Sequence, residues 1–152
     1  MALRNIVIND SDFLGKKSRP VTNFDSKLET LVEDMRETLR KAEGAGLAAP
    51  QVGVLRRIFI ADINGEYKEF INPEFIFKSG KNDKYYEGCL SFPNRSFHIV
   101  RAEKVKMRAQ NVKGETFEFE ADDFIARCLQ HEYDHLEGIT IPMIGKEVFE
   151  NE

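Results

Sequence analysis

The sequence predicts an α+β fold in which antiparallel sheets pack around a central metal-binding helix, with another helix near the N-terminus. Three observations support this class: an apolar stripe at helical spacing in residues 25–43, short β-rich segments between residues 57 and 120, and an amphipathic stretch from residue 122 to 137. Helices and strands segregated in this way are typical of α+β proteins with antiparallel sheets. The length of 152 residues fits one domain over residues 1–152.

The first long helix is predicted over residues 25–43, where apolar side chains recur every three or four positions. Asn23 or Asp25 can cap its start, and Gly44 fits the position just past its end. The stripe indicates ordinary core packing rather than a partner-binding face.

The middle of the chain is predicted to form strands, at residues 57–62, 67–71, 74–78, 99–109 and 115–120. The first two are joined through Asn64-Gly65, a strong signal for a two-residue hairpin turn. Charged and apolar residues alternate over residues 101–108, which favours a solvated strand face rather than a binding patch.

The last predicted helix begins at Asp122 or Asp123, runs to about Glu137 and is closed by Gly138. It carries the run HEYDH at residues 131–135, in a chain with only three histidines.

The HEYDH run has the spacing of a metal site. On a helix, His131 and His135 lie one above the other on the same face, with Glu132 beside them. This is the HExxH pattern, in which two histidines bind a metal and the glutamate moves protons. Histidine pairs at this spacing also occur on solvated helices without a metal, so the pattern needs support from other residues.

A catalytic metal site usually has three protein ligands and an open position for water. Metzincins place a third histidine where this chain has Ile141, and other zincins use a downstream carboxylate, for which Glu147 and Glu150 are poorly placed. The upstream candidates include His98 and the two cysteines.

The two cysteines differ in their surroundings. Cys128 shares a helix face with His131, and we interpret it as a small buried hydrophobe. Cys89 follows Gly88 in a separate segment, from which a thiolate can complete the coordination.

Composition excludes several classes of function. Lys and Arg number 22 against 26 Asp and Glu, and the absence of a long basic block argues against nucleic-acid binding. The sequence predicts neither a signal peptide nor a membrane span. Two cysteines do not make a disulfide framework, which favours a reducing, cytosol-like compartment.

Three motifs occur in order: GAGLAAPQ at residues 44–51, EGCLS at 87–91 and QHEYDHLEG at 130–138. With them the chain resembles the peptide deformylases. The resemblance implies that Cys89, His131 and His135 bind a divalent metal, with water in the fourth position. The metal is usually Fe2+, and Zn2+, Ni2+ or Co2+ can replace it.

The resemblance also implies the reaction, which removes the N-formyl group from the initiator methionine of new polypeptides and releases formate. Glu132 is then the general base and later the general acid. The side-chain amide of Gln51 and the backbone N–H of Leu90 would stabilise the oxyanion. From the residues alone, Gln51 could equally cap a turn.

Several residues are implied to bind the N-formyl-methionyl peptide: Gly44, Ala45, Gly46, Leu47, Gly88 and Arg101. The candidates for an apolar methionine pocket are Ala45, Leu47, Ile71 and Leu90, and Arg127 is expected near its edge. For Arg101 a solvated strand charge is an equal alternative. His98 is interpreted as a surface or pocket-rim residue.

The family also implies a cytoplasmic monomer that associates transiently with the ribosome, although the short segment after Gly138 leaves little room for a docking helix. Two alternatives stay open. The first is a zincin-type metallopeptidase with a downstream third ligand. The second is a non-enzymatic binding module whose fold is stabilised by a metal ion with four protein ligands, Cys128 among them.

Overall fold

The computed structural model describes residues 2–149. Its helices and strands follow in the order α1 Ser11–Leu14, α2 Ser26–Ala42, β1 Gly46–Ala48, a 3₁₀ turn Ala49–Val52, β2 Ile58–Ile63, β3 Glu66–Ser79, β4 Tyr86–Cys89, β5 Phe92–His98, β6 Lys104–Gln110, β7 Thr116–Asp122, α3 Asp123–Leu136, α4 Ile141–Ile144 and β8 Lys146–Val148. The strands form a five-stranded antiparallel sheet of order β1-β2-β3-β6-β7 and a three-stranded sheet of order β4-β5-β8. The predicted α+β class is therefore confirmed.

The five-stranded sheet is covered by α2 on one face and by α3 on the other. Alternation along β2 explains both cores, because successive side chains of a strand point to opposite faces. Ile58 and Ile60 pack with the apolar stripe of α2. Phe59 and Ala61 pack with the buried side of α3. The metal-motif helix is thus held against the sheet by its own apolar face.

Helix α2 was predicted almost to the residue, but its C-terminal cap was not. The side chain of Asp25 accepts a hydrogen bond from the backbone N–H of Leu28, as an N-cap does. The left-handed residue after the helix is Glu43, with φ 56°, and not Gly44. A glycine at position 44 has a packing reason instead, since a Cβ there would lie 3.0 Å from side-chain carbons of Leu39 and of Leu90.

The predicted hairpin at Asn64-Gly65 is confirmed, and both residues have positive φ. The two strands predicted after it are one strand, β3, whose pairing with β6 shifts register between Ile71 and Glu74. Pro73 lies in that interval, and proline has no backbone N–H to donate to the ladder. The sequence gap between the two predicted strands is therefore a bulge.

Strand β6 begins at Lys104, five residues later than predicted. Residues 99–103 connect the small sheet to the large one. Ile99 is buried in the small sheet's own core with Phe97 and Ile141. The predicted alternation of buried and exposed side chains holds only from residue 104 onward.

The small sheet was not predicted as such. Its strands β4 and β5 form a tight hairpin around Leu90-Ser91, and β8 pairs with β5 from the far end of the chain. Helix α3 covers the predicted residues, and Gly138 follows it with φ 74°. Asp122 is at the N-cap position as predicted, but its side chain makes no capping hydrogen bond with the described residues. Among the described helices, none is both long and apolar enough to traverse a bilayer.

Candidate metal centre and its cleft

Three side chains that could hold a metal ion converge where β4 meets α3. One ligand atom each from Cys89, His131 and His135 lies within 4.8 Å of the others. The Cys89 Sγ atom is 3.4 Å from His135 Nε2. A thiolate at ~2.3 Å and an imidazole at ~2.0 Å on one tetrahedral ion lie roughly 3.5 Å apart. The spacing and the donor types therefore fit a divalent metal ion, and they leave a position open.

Local structure explains how these residues converge. Cys89 is the last residue of β4, while His131 and His135 lie on successive turns of α3 with ring centroids 5.1 Å apart. The Nδ1 atom of His131 donates to Glu87 Oε1 over 2.8 Å. A carboxylate in this position fixes the tautomer and the orientation of a ligating imidazole. It leaves Nε2 of His131 as the donor available to a metal.

The sequence prediction assigned no role to Glu87, although its carboxylate orients His131 and is held by Arg101. Glu87 and Cys89 are two residues apart on one strand, so they share a face, and that spacing was the available signal. Arg101 donates to both carboxylate oxygens of Glu87, at 2.8 and 2.9 Å. Burial alone would raise the pKa of Glu87, but the hydrogen bonds from Arg101 and His131 hold this pKa well below its usual range.

The position of Arg101 contradicts a solvated strand charge, while its predicted contact with the substrate stays a prediction. Its side chain is buried rather than solvated, and it also pairs with Asp134 at 2.5 Å. It does not line the cleft at the metal centre. The alternation pattern was misleading here because the residue lies in the connection before β6, where the chain leaves the small sheet. Arg101 instead holds the carboxylate that orients His131.

Glu132 lies beside the donor group. Its carboxylate Oε2 is 4.0 Å from His131 Nε2, and its other oxygen, Oε1, is buried with no hydrogen-bond partner among residues 2–149. Burial raises the pKa of Glu132 to about 7, although the charge of His131 opposes the shift. A general base works best with a pKa near the operating pH. The arrangement can therefore accept a proton from a molecule bound at the metal position.

The close approach of Glu132 depends on Gly46. A Cβ at position 46 would lie 2.5 Å from Glu132 Oε2 and 2.8 Å from its Cδ, which is closer than atoms pack. The sequence prediction gave Gly46 a role beside the substrate backbone, and that role stays a prediction. The structure adds a second reason for glycine at this position, which is to leave room for the carboxylate.

We expect Gly46→Ala to preserve the fold and the metal content but to lower kcat. The added methyl group must displace the carboxylate end of Glu132, and a misplacement of about 1 Å typically costs about 100-fold in rate. Turnover and metal content measured on one preparation check this. An unchanged kcat would show that Glu132 adapts without consequence.

Gln51 caps a turn, and its predicted role toward the oxyanion stays a prediction. In the 3₁₀ turn, its Oε1 accepts from the backbone N–H of Ala48 over 2.9 Å, which caps the turn. Its Nε2 lies 3.5 Å from Cys89 Sγ and donates to Ser91 Oγ over 3.1 Å. Because the turn holds the oxygen of the Gln51 amide, the NH2 group of the same amide is directed toward the metal centre.

The metal centre opens into a cleft of about 510 Å³ between the two sheets. Its lining comprises Gly44, Ala45, Gly46, Gln51, Tyr86, Glu87, Gly88, Cys89, Leu90, Phe92, Pro93, Asn94, Arg95, Phe124, Arg127, Cys128, His131 and Glu132. Leu47 and Ile71 are absent from it, because their side chains are fully buried against α2. This burial does not favour their predicted side-chain contacts with a substrate, which stay a prediction. Tyr86, Arg95 and Phe124 line the cleft and were not predicted.

The remaining ligand candidates lie apart from the donor group. Cys128 is only partly buried and lines the cleft, which corrects its interpretation as a core residue. Burial raises the pKa of its thiol to about 12. His98 packs against Tyr86, and Glu147 pairs with Arg95 at 2.9 Å. Glu150 lies outside the described residues.

The fold and the site together define a class: an α+β protein with a Cys-His-His metal-binding group beside an HExxH glutamate. The sequence model for polypeptide deformylase matches residues 3–146. The chain therefore belongs to the polypeptide deformylase family, a family of enzymes whose known function is the hydrolytic removal of the N-formyl group from nascent peptides.

Individual relatives agree along nearly the whole chain. Peptide deformylase 1 of Clostridium perfringens is 48% identical over 141 residues, covering 91% of this chain and 95% of its own length. Peptide deformylase of Clostridium botulinum is 51% identical over 138 residues, with 91% and 93% covered. The crystal structure of peptide deformylase from Thermotoga maritima superposes with a TM-score of 0.91 at 38% identity, covering 95% of this chain and 98% of that one.

Proposed function

We propose that this chain performs the family's deformylation with Glu132 as the proton-transfer residue beside a metal held by Cys89, His131 and His135. The observation that carries the proposal is the convergence of these three ligand atoms within 4.8 Å, with the Glu132 carboxylate 4.0 Å from one of them. The substrate is an N-formyl-methionyl peptide and the products are formate and a free amine.

The peptide binds in the cleft along the exposed edge of β1. This strand is at the end of the five-stranded sheet, and among the described strands it pairs only with β2, so its other edge is available to an added strand. Gly44, Ala45, Gly46 and Gly88 lie along the cleft and allow close approach of the substrate backbone. The methionine side chain is received by apolar lining that includes Ala45 and Leu90.

The metal has a defined contribution. When bound, a divalent ion lowers the pKa of a water molecule and polarises the formyl carbonyl. We propose Fe2+ as the physiological ion, with Zn2+, Ni2+ or Co2+ able to replace it, because a mixed thiolate and imidazole set suits several divalent ions.

The protein residues carry the proton and the negative charge. Glu132 accepts the proton of the attacking water and delivers a proton to the nitrogen of the departing amine. The Nε2 group of Gln51 and the backbone N–H of Leu90 donate to the oxyanion that forms on the former carbonyl oxygen. One donor of this kind typically contributes about 100- to 1,000-fold in turnover.

Both alternatives from the sequence have specific observations against them. A zincin-type peptidase needs a downstream ligand, and Glu147, the described candidate, is engaged with Arg95. A four-ligand structural site would need the thiolate of Cys128, which does not belong to the group of ligand atoms that lie within 4.8 Å of one another in the described part of the chain.

We further propose a cytoplasmic location, a monomeric state and transient association with the ribosome. The support is the substrate itself, since formylated nascent chains occur where translation takes place. Sedimentation of the purified protein, alone and with ribosomes carrying nascent chains, tests the last two.

Metal-loaded protein is expected to release formate from formyl-Met-Ala-Ser, and removal of the metal by a chelator is expected to abolish this activity. Adding ferrous or nickel ions should restore it. Metal removal is also expected to lower Tm, because a ligand that binds only the folded state stabilises it. The control is acetyl-Met-Ala-Ser, which a zincin-type endopeptidase would cleave internally. A fully metallated protein that releases no formate would overturn the proposed function.

A further inference from the structure

Arg127 is a buried arginine on the metal-binding helix that the proposed chemistry does not use. Its side chain is only 2% exposed, although it is one of the largest in the protein. It lies four residues before His131 on α3, and therefore on the same helix face. A guanidinium is costly to bury unless its donors are paired, so its hydrogen-bond partners indicate what it does.

The guanidinium connects α3 to three other segments. Its Nη1 donates to Glu87 Oε2 over 2.6 Å and to the carbonyl of Ile99 over 2.8 Å. Its Nη2 donates to the carbonyl of Asn82 over 2.7 Å. One rigid, planar group thus joins β4, the connection after β5 and the loop before β4. A lysine has a single nitrogen and cannot reach all three positions in the same plane.

The contact with Glu87 reaches the metal ligands. Glu87 is two residues before Cys89 on β4, and its Oε1 accepts from His131 Nδ1. Arg127 and Arg101 occupy its Oε2 together. The carboxylate therefore links the strand that carries the thiolate to the helix that carries both imidazoles. Arg127 adds a second hydrogen bond from α3 to this carboxylate.

We propose that Arg127 is a positioning residue that sets the placement of the Cys89 thiolate relative to the two imidazoles of α3. Without its guanidinium, α3 loses one of its two hydrogen bonds to Glu87 on β4, and the bond from His131 is left as the other. The thiolate then moves relative to the histidines, and the metal is held less tightly and in a different geometry. This inference rests on one part of the proposed function, namely that Cys89, His131 and His135 bind a metal.

The test uses Arg127→Met, which keeps much of the side-chain volume, and Arg127→Lys, which keeps the charge and one donor. Arg108→Met is the matched control, since Arg108 is an exposed arginine on β6 with surface partners only. Two properties are measured without substrate: the rate at which bound Zn2+ is lost to a chelator, and the thiolate-to-metal absorption of the Co2+-loaded protein.

Arg127→Met is expected to lose Zn2+ about 10- to 100-fold faster than the wild type, because removing an outer partner of a metal site typically weakens metal affinity by about that factor. Its thiolate-to-cobalt absorption should shift or weaken. Arg127→Lys should fall between Arg127→Met and the wild type, and Arg108→Met should match the wild type. If Arg127→Met does not fold, Arg127→Lys alone decides: metal loss at the wild-type rate would overturn the proposal.

Kinetics separate positioning from substrate contact. We expect kcat to fall with the loss of metal geometry while KM changes little. A raised KM with unchanged kcat and unchanged cobalt absorption would show that Arg127 contacts the substrate from the cleft wall, and it would overturn the positioning role. A lower Tm with wild-type metal release would make it a purely structural residue. A wild-type protein that binds metal but releases no formate would overturn the proposed function and leave these metal measurements valid.

Discussion

Replacing Glu132 with Gln is expected to leave the metal content unchanged and to lower kcat by about 100- to 10,000-fold. The amide has nearly the same size as the carboxylate, so the packing against Gly46 is preserved. It cannot accept the proton of an attacking water or return one to the leaving amine. The loss is therefore expected in kcat, with KM nearly constant, because the step removed is chemical.

The comparison for this variant is Glu120→Gln on β7, where the side chain is 77% exposed and lies in the surface row of the sheet. Such a surface change is expected to alter stability by about 0.5 kcal/mol or less and to leave turnover unchanged. Formate release and elemental analysis on the same preparations check both variants. Wild-type turnover by Glu132→Gln would assign the proton transfer to another group and remove the central residue of the mechanism.

Cys89→Ala is expected to lose the bound metal and, with it, all measurable deformylation. The thiolate is the only ligand in the group that does not come from α3, and two imidazoles on one helix leave half of a tetrahedral shell without protein. The variant also lacks the sulfur atom that lies 3.4 Å from Nε2 of His135 in the wild type. Elemental analysis after gel filtration measures the loss directly.

Cys128→Ala is the matched control for metal content, since it removes the other thiol of the chain and lies one helical turn before His131. We expect it to retain metal at the wild-type level. Metal retained by Cys89→Ala would favour the zincin-type arrangement with a downstream ligand. Metal lost by Cys128→Ala would favour a structural site with four protein ligands. The two variants together therefore distinguish all three arrangements.

The elements that the sequence predicted well are those whose signals are local. Helix α3 combines a 3.6-residue apolar period with His131 and His135 four residues apart, so its burial and its ligand pair follow from one short segment. The turn at Asn64-Gly65 is equally local, because its two residues adopt positive φ readily. These features hold regardless of where the rest of the chain packs.

Arg101 and Leu47 show where local pattern was insufficient. Both belong to segments that alternate or carry a family motif, and both were assigned to substrate binding. Their side chains point elsewhere: Arg101 to a carboxylate on β4 and Leu47 into the core beneath α2. The direction of a side chain at such a position depends on which distant segment packs beside it.

Three short motifs were thus sufficient to predict the chemistry. The buried residues that support the site, Glu87 and Arg127, are brought to it only by long-range packing. Glu87 reaches a histidine 44 positions away, and Arg127 reaches a carboxylate 40 positions away. Residue types that ligate metals or move protons are few, so their spacing is informative along the chain. Buried arginines and carboxylates acquire a role only when the fold brings their charges together, because each would otherwise be too costly to remove from water.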